Sequence, residues 1–346
     1  MMSKTPLTFR PHFLPVSLQL DRRVPLAIAF LFISTLAAMI ISLGVGEFFI
    51  PPLGILQTLL GFNGDSDASF VLLTLRLPRI LVAWLVGVGL AIAGTIIQSL
   101  TRNPLAEPGI IGINSGAALA AVSLIVIFPG VSVAVLPLAA FGGALAVTLL
   151  IYWIAWQGGS SPLRLILVGI GFNLIAAALT NLLVTFGNIN QVSQALVWLA
   201  GSVYGRSWEQ AIALVPWIVI GSSVAWLMSK ELNGFHLGDD LAQGLGVSIE
   251  VRRGLLILVS TALAGAAVAT AGAIGFVGLV APHIARQWVG NVHQGLLPTA
   301  ALMGGCLVVV ADLIGRVVFA PLELPCGIIT AILGAPYFLY LLIKQR

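Results

Sequence analysis

From residue 24 almost to the C-terminus, apolar runs of helix length follow one another, separated by short polar breaks. They fall at roughly 24–43, 80–99, 109–128, 131–155, 164–186, 210–228, 254–271, 274–288, 297–318 and 325–343. A run of about 20 apolar residues is what a helix needs to cross a ~30 Å hydrocarbon layer. Backbone groups in lipid must be bonded within the segment unless they close a barrel, and the ~10-residue alternation of barrel strands is absent. Only 8% of the residues are charged, against roughly 25% in a soluble domain. The expected fold is therefore an all-α integral membrane protein with about ten transmembrane helices. Near Gly272 two runs almost touch, and the apolar segment 192–205 is short enough to be a partial helix at the outer surface.

The sixteen Lys and Arg set the orientation. With the N-terminus inside, twelve lie in inner segments (Lys4, Arg10, Arg22, Arg23, Arg102, Arg164, Lys230, Arg252, Arg253, Arg286, Lys344, Arg346) and four in outer ones (Arg76, Arg79, Arg206, Arg316). Both termini are thus expected in the cytoplasm. The same scatter supplies no basic stripe, so the net charge of +4 does not point to nucleic acid. Residues 1–23 read as a cytoplasmic N-terminal extension and 24–346 as one membrane domain embedded in lipid. The first apolar run is too long for a cleaved signal's core and is expected to remain as a helix. Cys306 and Cys326 sit in or beside apolar segments as small core residues. Glycine and alanine crowd inside the spans, as in Gly87-Val-Gly-Leu-Ala-Ile-Ala-Gly94 and Ala264-Gly-Ala-Ala-Val-Ala. Such residues let helices pack closely where lipid gives no hydrophobic drive, or let them slide.

Three polar stretches stand out. Arg76-Leu-Pro-Arg79 and Arg316 keep positive charge on the outer face, against the overall bias. They either anchor helix ends or dock acidic groups of a soluble partner. Asp312 lies four residues before Arg316, a spacing that allows an ion pair. On the inner side, Arg102-Asn-Pro-Leu-Ala-Glu-Pro108 joins two spans as a rigid connector or as something more. Asn114, Ser115, Asn173 and Asn181 place polar atoms within spans, as interhelical glue or as the lining of a wet path. The largest internal inner loop, about 230–253, carries Leu237-Gly-Asp-Asp-Leu-Ala-Gln-Gly-Leu-Gly-Val-Ser. Asp239 or Asp240 suits the start of a short helix, Gly244 or Gly246 its end, and Ser248 the start of a second running into the next span. Leu241 and Leu245 on one face would make a cytoplasmic knob that fits a partner's groove, unless the loop is simply solvated. There is no phosphate-binding loop, no clustered metal ligands among His12, His236, His283 and His293, and no sign of a cofactor. The chain is not expected to be an enzyme. An ion-coupled transporter would need carboxylates nearer the midplane than Asp312 and Glu323.

These stretches together resemble the permease subunits of ATP-driven importers for iron–siderophore complexes, haem and cobalamin. The resemblance is carried by Arg76-Leu-Pro-Arg79, Gly94 through Gln98, Arg102 through Pro108, Gly112-Ile-Asn-Ser-Gly116, Trp198-Leu-Ala-Gly-Ser202 and the Gly238–Gly246 loop. It continues through Gly275-Phe-Val-Gly-Leu-Val-Ala-Pro-His-Ile-Ala-Arg286, Ala311-Asp-Leu-Ile-Gly-Arg316 and Leu322 through Pro336. It implies a type II ABC importer permease architecture: two permease subunits around a central path, two cytoplasmic ATP-binding subunits, and an extracytoplasmic substrate-binding protein. Carried over, Arg76, Arg79 and Arg316 resemble arginines that receive glutamates of the binding protein. Asn103, Pro104 and Leu105 resemble a cytoplasmic gate, and residues 237–251, with Asp239, Asp240, Leu241, Gly244, Leu245 and Gly246, resemble ATPase-coupling helices. The second gate segment departs from the usual pattern: its hydroxyl residues are shifted to Ser160-Ser161 and followed by Pro162. The run Ala195 through Trp208 and the C-terminal third look most like ferric-citrate-type subunits, which work as heterodimers. The setting implied is a bacterial inner membrane.

Overall fold

In the computed structural model the described residues are 7–9, 18–46, 48–62, 66–128, 130–156, 159, 161–244, 246 and 248–344. A short antiparallel ribbon, β1 (Leu7–Phe9) with β2 (Leu18–Leu20), precedes the bundle. The helices follow in chain order: α1 (Arg23–Gly44), α2 (Pro52–Leu59), α3 (Ser66–Phe70), a π-helical turn Val71–Arg76, α4 (Leu77–Thr101), α5 (Ile113–Ile127), α6 (Leu136–Ala155) and α7 (Pro162–Phe186). Then come α8 (Ile189–Ala200), α9 (Trp208–Leu227), α10 (Ser229–Leu237), α11 (Asp239–Gly244), α12 (Ile249–Ala271), α13 (Val277–Val289), α14 (His293–Val317) and α15 (Cys326–Lys344).

Each of the ten apolar runs becomes a helix, and among the described residues eight helices are long and apolar enough to cross a membrane. The other two, α5 and α13, have 15 and 13 residues, about 22 and 20 Å at ~1.5 Å per residue. Both are short because their N-terminal ends are unwound. Pro108–Ile111 is a 3-10 turn leading into α5, and Gly272–Phe276 is irregular before α13. The unwound ends meet inside the protein: Pro108 packs on Gly278, and the Phe276 N–H donates to Glu107 Oε2 at 3.4 Å. Irregular backbone survives at membrane depth only where protein encloses it in this way. The segment at 192–205 is the 12-residue α8 followed by an irregular stretch, and an N-terminal turn closed by Asn188 N–H donating to Gln191 Oε1 starts that helix.

The core is organised around α4, which is buried along almost its whole length. It packs against α14, α12, α13 and α9. Contact is closest at glycines: a Cβ on Gly87 would strike the Gly304 carbonyl, and one on Gly94 would strike that of Gly278. α1, α7 and α15 present broad apolar faces outward, including Phe30, Leu174, Phe186 and Ile343. Burying a methyl group where two backbones already touch forces the helices apart. Gly94→Val should therefore destabilise the protein by about 1–3 kcal/mol. Gly142→Ala, where the added methyl meets open space, should be neutral or stabilising by up to ~1 kcal/mol. Thermal unfolding in detergent compares them, and equal melting temperatures would contradict the close-packing account.

Candidate functional site: the two polar ends of the bundle

At one end of α4 the outer-charge residues come together, but not as an open patch. Arg76, Arg79 and Arg316 are only 7%, 7% and 9% exposed. Arg76 donates to the carbonyls of Leu43 (2.6 Å) and Phe48 (2.6 Å), fastening the chain that leaves α1. Arg79 grips Asp312 with two nitrogens, Nη2 to Oδ1 at 2.8 Å and Nε to Oδ2 at 3.0 Å, and reaches Glu323 Oε2 with Nη1 at 2.8 Å. The Tyr204 ring lies 5.5 Å from its guanidinium carbon. Asp312 therefore pairs across helices with Arg79, not with Arg316 four residues along its own helix. Arg316 turns instead to Ser42, donating Nη2 to the carbonyl at 2.5 Å and to Oγ at 3.0 Å. The physical reason is geometric: the Gly87–Gly304 contact brings the first turn of α4 level with the end of α14. The fork of Arg79 then matches a carboxylate better than a single-helix pair does. Arg206, on the loop after α8, adds a fourth positive charge at this end, and burial pulls its pKa below the ordinary arginine value.

At the opposite end, Arg102 caps α4 in a left-handed conformation (φ 52°). A tight turn follows, in which the Leu105 N–H donates to Asn103 Oδ1 at 2.9 Å and the Ala106 N–H to the Asn103 carbonyl at 3.1 Å. Asn103, Pro104 and Leu105 thus form a stiff connector. Ser161 and Pro162 sit at the start of α7, with Pro162 as its first residue, where a missing N–H costs nothing. Both segments lie in the same half of the bundle, since Gly169 of α7 packs on the Ile110 carbonyl. Ser160 lies outside the described residues.

The knob takes a form the sequence only partly disclosed. α11 begins at Asp239 and is closed by Gly246 (φ 85°), whose N–H donates to the Gln243 carbonyl. Leu241 is 61% exposed on it; Leu245 and the Asp240 side chain lie outside the described residues. The expected second short helix is not separate. Ile249–Ala271 is one continuous helix, and the Ser248 side chain makes no capping bond. The partner of α11 is instead α10, which had no apolar run to announce it. Asp239 Oδ1 accepts from Arg253 Nη2 at 2.7 Å. The histidines are also less dispersed than expected, for the rings of His236 and His293 are 6.3 Å apart. Burial, with Arg286 second, lowers the pKa of His236. Among the described residues no three His, Cys, Asp or Glu side chains group as metal ligands.

Among the described residues, eight helices long and apolar enough to cross a membrane, with the shorter α5 and α13, make a polytopic membrane bundle, and its relatives give its class. Residues 34–344 match the FecCD transport family, and the chain belongs to that family. It is 48% identical over 318 residues to the "Probable siderophore transport system permease protein YfhA" of Bacillus subtilis (strain 168), covering 90% of this chain and 92% of that one. The Fe(3+)-citrate import system permease protein YfmE of the same organism is 43% identical, covering 93% and 96%. Other relatives bear the names of achromobactin, iron(3+)-hydroxamate and hemin systems. Among solved structures, an inward-facing metal-chelate type ABC transporter superposes with a TM-score of 0.83 at 32% identity, covering 92% of this chain and 99% of that one. The chain is accordingly a permease subunit of an ABC importer rather than an enzyme.

One measurement tests the site's physics. Arg79→Met strands a buried carboxylate and should destabilise by about 3–5 kcal/mol, with Arg79→Met/Asp312→Leu recovering much of that loss. Chemical denaturation in detergent decides it; equal losses in the single and double variants would refute the pairing.

Proposed function

We propose that this chain is the permease through which a ferric siderophore, ferric citrate first, crosses a bacterial inner membrane at the cost of ATP hydrolysed by separate subunits. The observation that carries the substrate class is the relatives: over nearly their whole length, proteins named for siderophore, ferric citrate, achromobactin and hydroxamate systems share its sequence. Ferric citrate is favoured by the Ala195–Trp208 run and the C-terminal third. Haem is the second reading, favoured by the 38% identity to a hemin permease.

The charge bias places both termini in the cytoplasm. The α11 knob then faces an ATP-binding subunit, and exposed Leu237 and Leu241 supply the apolar contact that water otherwise meets. A second, related permease completes the path, with Asn103–Leu105 and Ser161–Pro162 at its cytoplasmic mouth. A substrate-binding protein docks at the arginine end. Four arginines (Arg76, Arg79, Arg206, Arg316) face two carboxylates there, so the end remains positive. Asp312 is enclosed while the Glu323 side chain is 31% exposed; Glu323 is the carboxylate that an incoming glutamate would replace on Arg79.

In cells carrying the whole importer, labelled iron should enter as ferric citrate, survive an uncoupler of the proton gradient, and stop when the ATPase is inactivated. Entry of hemin or cobalamin alone, or collapse of uptake with the uncoupler, would overturn the reading. Leu241→Asp should strip the ATP-binding subunit from the purified complex, and Glu323→Gln should tighten docking of the binding protein measured by surface binding. Retention of the subunit, or weaker docking, would refute the respective assignment.

A further inference from the structure

The knob is held to the membrane helices by buried polar contacts rather than by a loop. Arg253, on the second turn of α12, is 0% exposed. Its Nη2 donates to Asp239 at the start of α11 (2.7 Å), and its guanidinium lies 5.2 Å from the Phe235 ring of α10. α10 is in turn seated by Leu232 and Phe235, both buried, and by Asn233. Asn233 Oδ1 accepts from the His293 backbone N–H (2.9 Å) and faces His293 Nδ1 at 2.7 Å, while its Nδ2 donates to Gln294 Oε1 (2.9 Å). On its other side His293 Nε2 meets Ser99 Oγ of α4 at 2.5 Å. Since Asn233 Oδ1 can only accept, Nδ1 carries the proton, and the one Ser99 O–H is shared between Nε2 and the Thr95 carbonyl, 2.8 Å away. Finally, the junction at Gly238 packs against Arg102, the residue before the Asn103–Leu105 turn.

A bare hinge would need none of this. Burying an arginine is costly unless it is paired, and the chain uses that pairing at the joint between α11 and a spanning helix. We propose that Arg253 and the Asn233–His293–Ser99 chain are positioning residues that couple α11 to α12, α14 and α4, so that displacement of the knob moves the spans and the Asn103–Leu105 turn together. This rests on α11 being the ATPase contact. The two sets of contacts have different targets, α12 for Arg253 and the α14–α4 pair for Asn233, so each can be cut while the apolar surface of α11 stays intact.

The test uses the full importer in liposomes, with a spin label at Leu105→Cys and vanadate-trapped ATP as the probe, which needs no knowledge of the cargo. Arg253→Met and Asn233→Leu are expected to keep the ATP-binding subunit bound and ATP hydrolysis running. The label's response to trapping should fall at least about fivefold, the lower end of an ordinary coupling between sites. Arg253→Lys should restore part of it. Should Arg253→Met fail to assemble, Phe235→Leu, which removes the ring beside the Arg253 guanidinium, takes its place. An undiminished label response in Phe235→Leu and Asn233→Leu, with the ATPase bound, would overturn the proposal. Failure of the underlying reading looks different: Leu241→Asp would then leave the ATPase bound.

Discussion

Where Gly87 meets Gly304 and Gly94 meets Gly278, helix backbones touch with no side chain between them. These contacts fix the axial register of α4 against α14 and α13, and most polar features of the protein follow from that register. At one end it sets Arg79 opposite Asp312. At the far end it brings Gln98 Oε1 within 3.0 Å of Arg286 Nη1 and sets the neighbouring Ser99 against His293. A one-residue slide would move each partner by about 1.5 Å and around the helix by roughly a quarter turn, breaking all three. Lipid offers no hydrophobic drive for helices to associate, so dispersion at the glycines and charge pairing at the ends must do it jointly.

The arginine end shows why charge and exposure have to be judged together. Three arginines outside a membrane suggest an open basic surface, but these three are nearly enclosed. A charge beside hydrocarbon is expensive and seeks compensation within the chain. Arg76 finds carbonyls left over where α1 ends, which closes the connection between α1 and the α2–α3 segment. Arg79 finds two carboxylates, and the surplus of positive charge is shared among Arg76, Arg206 and Arg316. The same residues can thus hold the outer ends of helices together and keep the surface attractive to acidic groups.

The sequence disclosed what depends on local hydropathy. Ten apolar runs became ten helices, because a long apolar segment has few alternatives in lipid. It could not disclose that α5 would break, since α5 is as apolar as its neighbours, whereas α13 carries His283, Arg286 and Gln287. Their truncation follows from Pro108 meeting Gly278 and from the Phe276 N–H finding Glu107, contacts between residues about 170 apart. The π-helical turn at Val71–Arg76 was likewise hidden, and it lengthens the second span beyond the apolar run. α10 escaped notice for the opposite reason, since its Ser, Lys, Glu, Asn and His read as loop; only Leu232 and Phe235, buried from one face, give it a core side. The i, i+4 spacing of Asp312 and Arg316 misled because local proximity on one helix competes with cross-helix geometry, and the bidentate fork won.

A permease must change shape without opening its own interior to lipid. Here the polar contacts are strong and concentrated at the two ends of α4, while glycine, alanine and small hydroxyl residues line its middle. Ser260 and Thr95 bond to backbone carbonyls there. Rigid joints at the ends and smooth contacts between them make α4 a lever. Tilting costs little along the small-residue faces, whereas detaching either end would expose a buried charge. On the coupling proposed above, motion delivered at the α10–α11 end would reach the arginine end as displacement of a whole helix rather than as local unfolding, because unfolding is the more expensive path.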